Sequence, residues 1–310
     1  MKIFLLINFT LFIFLSISAQ KKQVWIDSDS GNEMDDLYAL TYLLSDTTVD
    51  LVGVSSAHFN NPDLLTKKDW NSYPTKNINT VKISQQLNEK LLKFMDRENI
   101  PHPIGANQMI GYSWGGQEPA PSAASAMIIE RAHKIKPGQK LDVIVIGASS
   151  NISSALLADS TIKSKMHIYL LGAQFDVAKN VWNKNEFNIR NDLNSFDYLL
   201  NLDGLELTII PANVAYALQF SRNISKENLE NKNELSNFLY SRWNLVNAKE
   251  SWIMWDLALV EAYLHPELAK MQTVKTPLEN MQRDISVFTS IDHQKMEALF
   301  WDRILSLKLK

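Results

Sequence analysis

Apolar residues along this chain fall into short runs separated by stretches whose apolar positions recur about every 3.6 residues. The runs at 23–27, 49–55, 141–146, 166–171 and 205–210 are rich in Val, Ile and Leu and do not alternate strictly with polar residues. Strands covered on both faces look like this, because neither face meets water. Helical patterns predict helices over 35–44, 81–98, 123–136, 150–158, 226–247, 253–264 and 292–305. Such β-α alternation points to an α/β fold, an open, mostly parallel, Rossmann-like sheet with helices on both faces. No repeat or low-complexity linker divides residues 20–310, so one domain is expected. The segments 62–74 and 99–121 are polar and rich in Gly, Pro and Asn, and read as loops over a site. In sheets of this kind, ligands bind beyond the carboxyl ends of the strands.

The first nineteen residues stand apart from that pattern. Lys2 precedes an apolar run from Ile3 to Leu15, broken only by Asn8 and Thr10, and Ser16-Ile17-Ser18-Ala19 leads into Gln20. A basic start, a short apolar core and a small residue at the boundary describe a secretory signal peptide. Cleavage after residue 19 would give a secreted or periplasmic protein with no stable membrane insertion. The alternative is an uncleaved anchor, for which a run of about 17 residues is at the lower limit. The chain of 310 residues has no cysteine, which excludes disulfides, thiolate catalysis, zinc–thiolate sites, iron–sulfur clusters and a lipoprotein anchor. A net charge of −3 gives no electrostatic reason to expect a nucleic-acid partner.

The end of the first strand carries the densest chemistry. Asp27-Ser28-Asp29-Ser30-Gly31-Asn32-Glu33-Met34-Asp35-Asp36 places five carboxylates in ten residues. Without basic partners each raises the others' pKa, and a cation relieves that cost. Oxygen-only ligands favour a hard ion, calcium or magnesium. A solvated acidic turn with Asp35 near a helix N-terminus is the bland alternative. An EF-hand loop starting at Asp27 would need Gly and Glu where Asn32 and Tyr38 stand, so it fails. A phosphotransferase with an Asp-x-Asp nucleophile stays open, although it gives Asp35 and Asp36 no role.

The segment from Asp27 to Leu40 resembles the N-terminal signature of the inosine-uridine nucleoside hydrolases, in the branch with two extra residues before the aspartate pair. That resemblance implies calcium as cofactor. Asp29 and Asp36 would ligate it, Asp29 also taking a proton from the attacking water. Asp35 would bind sugar hydroxyls, and Asp27 would orient the cluster from behind. Other segments agree in order. Val54-Ser55-Ser56 followed by Asn60 is similar to a strand end whose downstream asparagine contacts ribose. Gly147-Ala148-Ser149-Ser150-Asn151 looks like the family turn in which a backbone carbonyl, here that of Ser150, ligates the ion; its side chains also suit a helix N-cap. Asn180, Glu186 and Asn188 match the segment that binds the ribose hydroxyls, and Asp256 matches a late aspartate that returns to the ion. Trp255 stands where many members have a histidine beside the leaving base; it can stack on a base but cannot relay protons. His58 is the one histidine in a matched loop and a candidate acid, with a plain loop role as the alternative. Trp114 and Trp182 are candidates for stacking or for packing.

The resemblance spans about 23 to 305 and implies hydrolysis of the N-glycosidic bond of ribonucleosides to free base and ribose. It also implies a homodimer or homotetramer. Two alternatives remain open: a ribose- or nucleoside-binding protein with little catalysis, or a hydrolase of a related non-nucleoside glycoside.

Overall fold

The computed structural model describes residues 21–65, 77–246 and 248–307; the expected signal peptide lies outside them. Parallel pairing joins β1 (Gln23–Ser28) to β2 (Asp50–Ser56) on one side and to β3 (Leu141–Ile146) on the other. Beyond β3 come β4 (Met166–Leu171) and, after the short antiparallel hairpin β5 (Gln174–Asp176) and β6 (Val181–Asn183), the strand β7 (Glu206–Ile210). A second small pair, β8 (Gln219–Ser221) with β9 (Ser251–Ile253), stands outside the sheet. The seven-stranded sheet is completed by β11 (Asp284–Ile291), parallel to β7, and the antiparallel edge strand β10 (Ala269–Lys275). The expected mostly parallel, doubly covered α/β sheet is what forms.

Its two faces are filled by alternate residues of the same strands, as the pleat requires. Val24 and Ile26 enter a core with Leu40, Leu257 and Phe300, whereas Trp25 enters the opposite core with Ile152 and Phe196. Gly53 on β2 makes room for that indole, since a Cβ there would lie 2.1 Å from the Trp25 ring. The chain turns from β1 to β2 on one side and returns to β3 on the other. This reversal of strand order opens a crevice beyond the carboxyl ends of β1 and β3.

Several boundaries differ from the sequence reading. The helix expected over 226–247 is two helices, Arg222–Leu229 and Glu234–Leu245. Asn231 between them adopts a left-handed φ of 60°, and Asn233 caps the second helix by accepting from the Ser236 N–H. The helix expected from 253 starts at Trp255, because Ser251–Ile253 pairs as β9. Thr80–Phe94 stops short of 98, where Asp96 is left-handed. Pro62–Leu65 forms a helical turn within an expected loop, whose later part lies outside the described residues.

Candidate active site

The segment after β1 turns sharply, with the Asn32 N–H bonded to the Asp29 carbonyl at 2.9 Å, and enters the helix Asp35–Ser45. Three buried hydroxyls and amides fix it from behind. Ser28 Oγ donates to Asp36 Oδ1 at 2.8 Å, and Ser30 Oγ donates to Asn88 Oδ1 at 2.6 Å. Asp27 accepts from Ser55 Oγ and from Asn151 Nδ2, so its carboxylate is turned into the fold and does not line the cavity. Asn151 also accepts from the Ala106 N–H, which ties the β3 turn to the loop preceding the helix Ala123–Lys134.

Beyond these strand ends lies a cavity of about 620 Å³. Asp29, Asp35, Asp36 and Asp256 are on its wall, each nearly inaccessible to water. One oxygen from each of Asp35, Asp36 and Asp256 lies within 4.8 Å of the others. The Asp256 N–H, in the first turn of the helix Trp255–Leu264, donates to Asp35 Oδ2 at 3.2 Å. Burial raises every one of these carboxyls. Asp35 is pushed up to about 6 by burial, and Asp36 to about 7 by burial and by the Asp35 charge. Asp29 and Asp256 are raised well above the usual carboxylate range by burial and by their acidic neighbours. Arg242, bonded to the Glu33 carbonyl, brings a compensating charge toward Asp36.

On the adjoining wall Glu186 caps the helix Phe187–Asn191. Its two oxygens accept from the Asn188 N–H at 3.0 Å and the Ile189 N–H at 3.1 Å, while burial raises it to about 7. Asn188 and Asn185 lie beside it, and the rest of the wall includes Gln174, Asn213, Tyr216 and Trp255. The cavity is acidic and polar at one part and aromatic at another.

The donor set fits a hard divalent cation. Among the described residues all the clustered ligands are carboxylates, and Asp29 Oδ2 and Asp35 Oδ1 are buried without a hydrogen-bond partner. A buried acceptor in that state is costly, and a cation meets it directly.

The model of the inosine-uridine preferring nucleoside hydrolases matches residues 24–298. The chain belongs to this family. Membership makes it a hydrolase of N-glycosyl compounds. Solved structures agree in fold. A plant nucleoside hydrolase superposes with a TM-score of 0.68 at 16% identity, covering 93% of this chain and 100% of its own. An inosine-guanosine nucleoside hydrolase gives 0.70 at 16%, covering 93% and 100%. A purine-preferring ribonucleoside hydrolase from Gardnerella vaginalis gives 0.66 at 17%, covering 92% and 98%. At such identities the likeness speaks for the fold. No curated protein matches the chain significantly by sequence.

Of the residues that the family signature singles out, Asp29, Asp35, Asp36, Glu186, Asn188, Trp255 and Asp256 meet at this cavity. The tightest oxygen triple holds Asp35 beside Asp36 and Asp256, with Asp29 on the same wall. Ser150 is buried behind it, its Oγ donating to Asp192 Oδ2 at 2.5 Å and lying 2.8 Å from His58 Nε2. Asn60 donates to the Asn107 carbonyl and does not line the cavity. Asn180 also lies off it, at the exposed turn between β5 and β6 with a φ of 54°. His58 is buried and is not among the described residues that line the cavity, and desolvation lowers it to about 4. Trp182 packs on Phe175, and Trp114 stacks on Tyr112 at the surface, 85% exposed. No described residue of 62–121 lines the cavity. The sequence reading missed Asp192, which holds Ser150 and also accepts from the Ile110 N–H at 2.9 Å. It missed as well the wall residues Gln174, Asn185, Asn213 and Tyr216.

Proposed function

We propose that the protein hydrolyses the N-glycosidic bond of ribonucleosides to ribose and free base with calcium as its metal. The observation that carries this reading is the buried, oxygen-only carboxylate cluster in a cavity that also has an aromatic wall. Asp29, Asp36, Asp256 and the Ser150 carbonyl would hold the ion, a set implied by family membership and sharing Asp36 and Asp256 with the tightest oxygen triple. When bound, the ion supplies positive charge that grips vicinal hydroxyls and acidifies the attacking water.

The protein's own groups do the rest. Asp29 accepts the water's proton at Oδ2, a buried oxygen with no hydrogen-bond partner among the described residues. General-base help of this kind is worth about 10²–10⁴-fold. Asp35, Glu186 and Asn188 hydrogen-bond the sugar hydroxyls, and the surrounding carboxylates stabilise the positive charge that grows on the sugar as the bond breaks. Trp255 offers a face on which the base stacks.

Export through the residue 1–19 signal belongs to the same reading and would leave a mature chain beginning at Gln20, to be checked by intact mass of the exported protein. Assembly as a homodimer or homotetramer is part of it as well, checked by light scattering.

The deciding experiment incubates the protein with purine and pyrimidine ribonucleosides, in calcium and in EGTA, and measures ribose and base. Release in calcium, lost in EGTA together with a fall in Tm, is the expected result. Nucleosides that stay intact in calcium while the protein binds them would favour the binding-protein alternative. A melting curve indifferent to both additions would remove the metal site.

A further inference from the structure

A base leaves a sugar readily only when its departing charge is met by a hydrogen. No histidine lines the cavity, and the indole of Trp255 can donate a hydrogen bond but cannot serve as an acid. Among the described lining residues Tyr216 alone carries a hydroxyl. The residue is 55% exposed, and its hydroxyl has no protein partner among the described residues. A large ring left open at a cavity wall, with a free donor at its tip, is shaped for a ligand with an apolar face and a polar edge.

The backbone holds this ring in place. Tyr216 closes the helical turn Ala212–Ala215, its N–H bonded to the Ala212 carbonyl at 2.9 Å. Asn213 clamps that turn to β5 as a strand would, accepting from the Phe175 N–H at 2.9 Å and donating to the Phe175 carbonyl at 3.1 Å. On the other side the Met254 N–H donates to the Leu218 carbonyl at 2.8 Å, and Gln219 pairs with Ile253. Trp255 follows Met254 directly. The segments that carry Tyr216 and Trp255 are therefore tied to each other two residues from one ring and one from the other, and both residues line the same cavity.

We propose that Tyr216 contacts the leaving base and gives it the phenolic hydrogen as the glycosidic bond breaks. This rests on the ribonucleoside reading above. The C–N bond breaks with its electron pair going to the base, which takes the proton of Tyr216. Water oxygen forms the new bond to the anomeric carbon, and its proton goes to Asp29. Solvent reaches the exposed phenol and restores its proton while Asp29 releases one, so the sum is nucleoside plus water to base plus ribose.

The test compares inosine and uridine with p-nitrophenyl β-riboside, whose phenolate leaves without a proton. Tyr216→Phe keeps the ring and removes only the hydroxyl. Its kcat on the nucleosides should fall by about 10²-fold, with KM little changed, while turnover of the p-nitrophenyl riboside stays within about twofold. Equal losses on both classes, or nucleoside turnover unchanged, overturn the assignment. So does a wild type that cleaves the p-nitrophenyl riboside but no nucleoside, since an acid would then be missing. A wild type that cleaves neither overturns the ribonucleoside reading itself.

Discussion

Asp29→Asn should yield a folded protein whose riboside turnover has dropped by about 10²–10⁴-fold. The substitution keeps size and shape at a position with almost no slack. Gly147 at the end of β3 faces Asp29 so closely that a Cβ there would lie 3.0 Å from the Asp29 Cβ and 3.1 Å from its Cγ. The turn thus presses the carboxylate toward the cavity, and an amide of equal volume occupies the same place without accepting the water's proton. The second half of the expectation concerns stability without metal. Burial first, then the charges of Asp36, Glu33, Asp35 and Glu186, hold Asp29 well above its ordinary pKa. A carboxyl raised on folding contributes stability that is present below its unfolded pKa and lost as pH rises through the folded one. The neutral amide removes that loss, so in EGTA at neutral pH the variant should melt above wild type, and calcium should raise its Tm less. Steady-state kinetics and thermal melts with and without calcium read both halves. Turnover near wild type would end the assignment of Asp29 as base, and a lower Tm in EGTA would contradict the account of its charge.

The central sheet and the acidic segment were legible because each sits in one stretch of sequence with a physical signature. The run at 141–146 is buried at every position and lacks alternation for that reason. The edge strand Ala269–Lys275 gives no such signal, since most of its side chains face water and it has one neighbour in the sheet. The strands of the two small pairs have three residues each, too few to display a period. The same logic divides the site. Five carboxylates crowded after one strand have a cost that points to a cation even without a fold. Gln174, Asn213 and Tyr216 are neutral, ordinary residues on separate segments, and only the hairpin clamp and the sheet order bring them to one wall. The family resemblance also placed Asn180 with Glu186, whereas the β5–β6 hairpin carries it out to an exposed turn.

Glu261→Gln should stabilise the protein, and by more as the pH rises from 5 to 9. Glu261 lies on the helix Trp255–Leu264 with no exposed surface, and neither carboxyl oxygen has a hydrogen-bond partner among the described residues. The groups around it are committed elsewhere. Arg303 pairs with Asp46 and lies over the Tyr42 ring at 4.3 Å, and the Tyr42 hydroxyl bonds His265 Nε2 at 3.0 Å. Burial pushes Glu261 up to about 9, with the Arg303 charge opposing only in part. Folding at neutral pH therefore takes up a proton that the unfolded chain, with an ordinary glutamate pKa near 4.3, has released. The stability tied to this group is intact below that value and falls by up to about 1.4 kcal/mol for each pH unit until the folded pKa is passed. At pH 7 the accumulated loss is on the order of 1–3 kcal/mol, allowing for relaxation around the charge. Glutamine has the same volume and never ionises, so the difference in unfolding free energy between variant and wild type isolates this one proton from the other raised carboxyls. Urea melts at pH 5, 7 and 9 measure it. A difference that grows with pH confirms a protonated glutamate in the core, and a difference that is flat across the series means that Glu261 keeps its charge when folded and draws on Arg303 to do so.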